Sequence, residues 1–308
     1  MSHTPVFLKE VIETLDPKFG EFFIDGTVGG GGHAVEIFKK ISPGGRLLGI
    51  DWDEDNIKKL IEVKKLRNRK NIILVNDNYA NLPEILKKEK LPKADGLLLD
   101  LGFSSEQLEK SGKGFSFLRD EPLNMRYNVE INNNGQATRD KRQETGITAA
   151  EVINSFSEKE LADIFWKYGE ERFSRRIAKN IVAVRKKKPI KTTFDLVEII
   201  RKSLPRYYER GRIHPATRVF QALRIYVNDE LGNLEKLLEH LDKIVKNKGR
   251  AVIISFHSLE DRLVKNYFRQ FTKEGIAKIL TKKPIRPTPE EVVLNPRSRS
   301  AKLRALSM

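Results

Sequence analysis

Five glycines fall within nine residues, Asp25-Gly26-Thr27-Val28-Gly29-Gly30-Gly31-Gly32-His33, directly after the apolar run Phe22-Phe23-Ile24 and ahead of a second one, Leu47-Leu48-Gly49-Ile50-Asp51. A buried strand that ends in a glycine-rich turn lets backbone N–H groups come close to a ligand. Glycine tolerates positive φ and puts no Cβ in the way. The acid that closes the next strand is then placed to accept ribose hydroxyls. Gly29, Gly31 and Ala34 fit the G-x-G-x-x-A spacing of dinucleotide-binding folds, with Asp51 about 20 residues on. The glycine spacing alone also fits a turn without a ligand. With a strand before it and an acid after it, it points to a nucleotide-like cofactor.

The first third repeats one unit. Phe22 to Asp25, Arg46 to Asp51, Asn71 to Asn76 and Ala94 to Leu101 are short runs rich in Ile, Leu and Val, separated by helix-length amphipathic segments. Each run is nearly continuous, as strands buried on both faces of a parallel sheet require. The expected fold is therefore α/β, a doubly wound Rossmann-like sheet. Its ligand should lie beyond the carboxyl ends of the strands, where Asp25, Asp51, Asp77 and Asp100 fall. Any one of these acids can instead cap the following helix, Asp77 most readily.

After Leu101 the alternation stops. Gly102 to Gly114 reads as loop, and Val129 to Gly146 is too poor in apolar residues to bury a core, which suggests an exposed insertion. From Ala149 to Lys186 the apolar residues take helical spacing, Leu161, Ile164, Phe165 and Tyr168 on one face and then Phe173, Ile177, Ile181 and Val184. Thr193 to Leu204 reads as another helix, and Val219 to Val245 as one or two more. Ala251 to Phe256 is a late buried strand, followed by His257. Pro284, Pro287, Pro289 and Pro296 argue against a long regular element in the tail, which is expected to wrap the surface. The expected division is a sheet domain in two parts, 1–110 and 216–308, with an all-helical, substrate-recognising insertion at 111–215.

Composition narrows the function. The chain has 308 residues and no cysteine, which excludes disulfides, thiolate metal sites and a cysteine nucleophile and suits a reducing cytoplasm. Its five histidines, at 3, 33, 214, 240 and 257, have no metal-ligand spacing, so no metal is expected. No apolar run approaches the length of a membrane span, and a soluble, unexported protein is expected. The net charge of +16, from 58 Lys and Arg against 42 Asp and Glu, favours a polyanionic partner. It is clustered: Arg172 to Lys191 holds nine basic residues and no acid, and Lys282 to Arg304 holds seven against Glu290 and Glu291. Both runs are candidates for gripping phosphates, the second through Arg297, Arg299, Lys302 and Arg304. Arg218 and Arg224, set among apolar residues, are open to a second role as buried partners of the strand-end acids.

Two cofactors suit such a sheet, a nicotinamide dinucleotide and S-adenosylmethionine. A pyrophosphate is anionic and avoids carboxylates, whereas the sulfonium and ammonium of S-adenosylmethionine attract them. Asp25 and Asp100 favour the methyl donor.

Eight segments carry a resemblance across nearly the whole chain. They are Asp25 to His33, Leu98-Leu99-Asp100-Leu101-Gly102 with Ser104-Ser105, Gly114 to Phe117, Tyr168 to Phe173, His214 to Arg218, Phe220 to Ile225, Ser255 to Arg262, and Asn295 to Arg299. In this order they resemble the ribosomal small-subunit methyltransferase H family, also called MraW. The resemblance implies a class I methyltransferase sheet with an inserted helical domain. It also implies methylation by S-adenosylmethionine of the exocyclic N4 of one cytidine in the decoding region of 16S rRNA, within the small ribosomal subunit. Carried over motif by motif, Gly31, Gly32 and His33 would line the methionine end of the cofactor, Asp51 the ribose, Tyr79 the adenine, and Asp100 and Gln107 the pocket floor. Glu106 stands where the family usually has proline, and Asn132 to Lys141 looks like an insertion. Many amino methyltransferases end this strand with Asp/Asn-Pro-Pro-Tyr/Phe; here it reads Asp100-Leu101-Gly102-Phe103. Asp100 is accordingly the expected catalytic residue, Phe103 a candidate stacking partner for the base, and His257 either a second contact at the same sheet edge or a satisfied structural histidine. A homodimer is left open by the sequence.

Overall fold

The computed structural model describes residues 5–62, 71–102, 112–127, 146–205, 208 and 213–308. They form two compact units, residues 1–104 with 231–308, and residues 105–230.

The first unit is built on one seven-stranded sheet: β1 (Phe22–Asp25), β2 (Arg46–Asp51), β3 (Ile72–Asn76), β4 (Ala94–Asp100), β5 (Val245–Ser255), β6 (Lys278–Ile279) and β7 (Lys302–Ser307), in the order β3-β2-β1-β4-β5-β7-β6. β1 to β5 are parallel, and β7 runs antiparallel to β5 and β6. The expected doubly wound sheet is present, with the four early strands within a residue of their expected bounds. Helices α1 (Leu8–Leu15), α2 (Gly32–Ile41), α3 (Glu54–Glu62) and α4 (Leu82–Lys88) accompany the first strands. The sheet buries apolar side chains on both faces, one core around Ile24, Leu48, Leu97 and Ile253, the other around Phe23, Leu47, Leu98 and Val252. Alternate residues of each strand feed opposite cores, which is why the strands read as continuous apolar runs.

The tail corrects the sequence reading. It ends as β7, inserted between β5 and β6, with Leu303, Ala305 and Leu306 fully buried. The prolines at 284, 287, 289 and 296 all precede this strand, so they limit only the approach to it. β5 also begins at Val245, the last residue of the stretch expected to be helical, and so starts ahead of the strand expected from Ala251.

The second unit holds α5 (Ala149–Ser155), α6 (Glu158–Gly169), α7 (Ser174–Arg185), α8 (Thr193–Ser203) and α9 (Thr217–Asn228). The starts of α5, α6 and α8 are fixed by reciprocal capping boxes, Thr148 with Glu151, Ser157 with Glu160 and Thr192 with Asp195. Leu161, Phe165, Ile177, Ile181, Leu196, Ile200 and Leu223 form its buried interior. Tyr168 is only half buried and Val184 is 39% exposed, so the apolar stripe ends short of both. The polar stretch from Val129 to Gly146 lies, apart from Gly146, outside the described residues. Further along the chain, α10 (Glu230–Glu239) and α11 (Leu241–Ile244) lead into β5, and α12 (Ser258–Lys273) leads out of it. A final short helix, α13 (Pro289–Leu294), precedes β7.

Candidate functional site

Three carboxylates end three neighbouring strands of the first unit: Asp25 on β1, Asp51 on β2 and Asp100 on β4. Asp77, one residue past β3, has a different task. Its Oδ1 accepts from the Asn78 amide and Asn81 Nδ2, and Asn78 in turn caps the short turn at Tyr79. Asn78, and not Asp77, is thus the cap of the turn that follows β3, and the Asp77 carboxylate braces the loop around it.

The glycine loop hangs on these strand ends. Gly26 N donates to Leu98 O and Val28 N to Ile50 O, so the loop is tied to β4 on one side and β2 on the other. Thr27 braces it twice: its amide donates to Asp25 Oδ1 at 3.2 Å, and its Oγ1 accepts from the Asp100 amide at 2.6 Å. Gly29 (φ 48°) and Gly31 (φ 77°) take the left-handed backbone that the turn into α2 demands. A Cβ on Gly32 would meet Pro5 Cγ at 2.3 Å, and one on Gly26 would meet Leu99 Cδ2 at 2.5 Å. A Cβ on Gly30 would meet nothing within 4 Å. The loop is thus closely packed behind and open in front.

Asp51 is 8% exposed, and its carboxylate accepts from the amides of Gly29 and Asp53, both at 2.8 Å. It therefore holds the glycine loop as well as facing the strand-end space. Burial raises its pKa to about 6. Asp25 is 1% exposed, and burial pushes it up to about 7. The Thr27 amide opposes that rise, and the nearby Asp100 and Asp51 charges add to it. His33 is buried, with Nε2 2.9 Å from Val6 O and Nδ1 3.8 Å from Asp100 Oδ2. When Nε2 donates to that carbonyl, Nδ1 faces Asp100. Asp100 Oδ1 accepts from the Gly102 amide at 3.2 Å. Tyr79 is half buried against the β-sheet core, with its Cβ beside the Gly26 backbone.

Gly31, Gly32, His33, Asp51, Tyr79 and Asp100 thus come together at one edge of the sheet. Gln107, Phe103 and Glu106 lie outside the described residues. Sequence reasoning assigned no part to Thr27, although its place between Gly26 and Val28 in the turn, with a short hydroxyl side chain, suits a brace. It also gave His257 a choice that the structure decides. His257 is the N-cap of α12: its Nδ1 accepts from the Glu260 amide at 3.3 Å and its Nε2 lies 3.1 Å from Glu260 Oε1.

The site fits S-adenosylmethionine. A buried carboxyl that accepts from the Thr27 amide, two further carboxylates and an open glycine face suit a ligand carrying a sulfonium and an ammonium, and disfavour a pyrophosphate.

The basic clusters divide. Lys302 Nζ and Arg304 Nε bind the two oxygens of Asp261 at 3.0 and 2.6 Å, and Arg304 is 8% exposed. Burial raises the Asp261 pKa, but the Arg304 and Lys302 hydrogen bonds outweigh it and hold the group below the usual range. These two cations lock β7 to α12 and are not available to phosphates as the sequence suggested. In the second unit, Arg185 donates to Ile153 O and Phe156 O, while Arg172, Arg175, Arg176, Lys179, Lys186 and Lys187 are exposed. Arg224 makes a bidentate pair with Glu230, and Arg218 donates to Glu170 O, so neither is paired with a strand-end acid among the described contacts. Among the described residues no helix is long and apolar enough to cross a membrane.

Comparison with known proteins gives a consistent result. A family model described as the MraW methylase family matches residues 1–308. The chain is 45% identical to the ribosomal RNA small subunit methyltransferase H of Clostridium botulinum (strain Loch Maree / Type A3), over 98% of this chain and 97% of that one. It is 45% identical to the protein of the same name from Dictyoglomus thermophilum, over 98% and 95%. With that from Geotalea uraniireducens it shares 44% identity over 98% and 97%.

Proposed function

The chain belongs to the MraW methylase family, and from that premise we propose that it transfers the methyl group of S-adenosylmethionine to the exocyclic N4 of one cytidine in the decoding region of 16S rRNA. The observation that carries the reading is the strand-end carboxylate set around an open glycine loop. The family membership and the relatives named as small-subunit rRNA methyltransferases support the substrate.

When bound, S-adenosylmethionine supplies an activated methyl group on a sulfonium. Gly31, Gly32 and the start of α2 would hold its methionine end, with Asp25 offering charge to the ammonium. Asp51 would accept ribose hydroxyls on lone pairs left beside the Gly29 and Asp53 amides. Tyr79 would lie along the adenine, and Gln107 would close the pocket floor.

Cytosine N4 is a poor nucleophile because its lone pair is delocalised into the ring. The protein's task is to hold that amino group in line with the methyl donor, an effect worth about 7 kcal/mol or more. Asp100 would accept a hydrogen bond from N4 and orient it. Thr27 and the Gly102 amide fix Asp100 from its backbone and side chain, and His33 stands behind it. The target base must leave its stack to enter such a pocket. The exposed Arg172, Arg175, Arg176 and Lys179 of the helical unit would grip flanking phosphates, which gives residues 111–215 their proposed substrate-recognising role.

Asp100→Asn tests the central role. Turnover on unmethylated small subunits should fall by about a hundredfold or more, while calorimetric affinity for S-adenosylmethionine stays within a few-fold. Full turnover at unchanged affinity removes Asp100 from the reaction. Titration with NAD in place of S-adenosylmethionine should show no binding; tight NAD binding would return the site to an oxidoreductase reading.

A further inference from the structure

A second cleft, of about 220 Å³, opens next to the strand-end site in the first unit. Its walls come from three stretches far apart in sequence: Phe256 to Ser258 after β5, Arg286, and Arg299 to Lys302 at the entry to β7. The sheet brings them together. Ile285 pairs with Leu303 in an antiparallel bridge, which sets Arg286 beside the start of β7, and β7 pairs with β5 from Lys302 opposite Ser255. Phe256 is also the wall shared with the first site, since a Cβ on Gly102 would meet its ring at 2.6 Å, and Gly102 follows Asp100 by two residues.

The charges in this cleft are unbalanced. Lys302 is held by Asp261, and Glu260 is turned inward, accepting from the Phe256 and His257 amides. Arg286 and Arg299 are exposed and make no ion pair among the described residues. Arg224, Arg250 and Arg304 are paired with carboxylates and Arg126, Arg185 and Arg218 with backbone carbonyls, whereas Arg172, Arg175 and Arg176 of the helical unit are exposed like Arg286 and Arg299 but do not line this cleft. Two unpaired guanidinium groups converging on one cleft suit the two free oxygens of a phosphodiester. The amides at the start of α12 are taken by its own capping box, so the arginines, and not the helix end, make the site.

We propose that this cleft binds a backbone phosphodiester of the RNA next to the nucleotide whose base reaches Asp100, with Arg286 and Arg299 as its two contacts. The proposal rests on the methyl-transfer reading above and adds to it a fixed phosphate register on the catalytic unit itself.

The double variant R286A/R299A, with each single variant and R299E, tests this in the full-length chain. Lys9→Ala, a basic change on α1, is the control. Three readouts are needed: calorimetric affinity for S-adenosylmethionine, KM and kcat on unmethylated small subunits, and the salt dependence of binding to a short cytidine-containing oligoribonucleotide. The expected result is unchanged cofactor affinity and kcat, KM and oligonucleotide Kd raised about tenfold or more, and a log Kd against log salt slope reduced by about one to two. R299E should be worse than Arg299→Ala. If wild-type protein methylates no RNA yet the double variant loses oligonucleotide affinity and slope, the activity reading fails and the phosphate site stands. If a folded double variant keeps the wild-type KM, oligonucleotide affinity and slope, the proposal is overturned.

Discussion

Asp25 carries the site's electrostatics on one side chain. Burial lifts its pKa to about 7 and that of Asp51 to about 6, so in the unliganded fold both hold protons that the unfolded chain has released above pH 4. Folding then binds protons, and the stability drawn from the protonated forms is full below pH 4 and is lost as pH rises through 6 and 7. A cationic cofactor reverses the preference, because it favours the ionised carboxylate. Affinity for S-adenosylmethionine should therefore weaken as pH falls below 7, by at most about tenfold per pH unit. Asp25→Asn should flatten that dependence and weaken binding at pH 8. Calorimetric titrations of both proteins between pH 5.5 and 8 check this, and equal slopes would show that Asp25 does not face the cofactor charge. The acids themselves were legible in the sequence, since each closes an apolar run. Their partners were not: that Asp51 holds the Gly29 amide, and that Thr27 bridges Asp25 and Asp100, depends on how three strands line up across the sheet.

Elements were legible to the degree that their apolar pattern is local. The helical spacing of apolar residues from Ala149 to Lys186 and from Thr193 to Leu204 places α5 to α8 in the sequence, and the continuous Ile, Leu and Val runs place β1 to β4. β7 was missed because four prolines crowd its approach and because Lys302 and Arg304 sit inside it. A strand carrying charge is admissible here only because Asp261 on α12 satisfies both cations, a contact 41 and 43 residues away in the chain. Removing residues 302–308 should therefore do more than trim a tail. It deletes a strand buried between β5 and β6, and the truncated chain should express insolubly or lose its cooperative melting transition. A truncated protein that melts like wild type would contradict the observed sheet order. Helix contacts give a second test. Gly169 ends α6 where it meets α9, and a Cβ there would lie 2.5 Å from the Arg218 carbonyl oxygen. Gly169→Ala should cost about 1–3 kcal/mol through that backbone clash, measured by urea unfolding, with the cofactor affinity of the sheet unit unchanged.

At the scale of the whole chain, two units share the work. In the proposed reaction one would position a methyl donor against the acid at the end of β4, and the other offers an exposed basic helix face. The charge of +16 is spread over both. Some of it, as at Arg304, Arg224 and Arg185, serves the fold, and some, as at Arg172, Arg175 and Arg176, is exposed to solvent. Composition could announce that excess but could not divide it, because a paired and an unpaired arginine read alike in a sequence. The proposed function is one transfer: a methyl group from S-adenosylmethionine to a cytosine amino nitrogen in small-subunit RNA. The direct measurement is to incubate the protein and isotope-labelled S-adenosylmethionine with unmethylated small subunits and with protein-free 16S rRNA, then to identify the labelled nucleosides by mass spectrometry. Label is expected as N4-methylcytidine at a single position in the decoding region. Label on another base or atom, or none despite measurable cofactor binding, would contradict it.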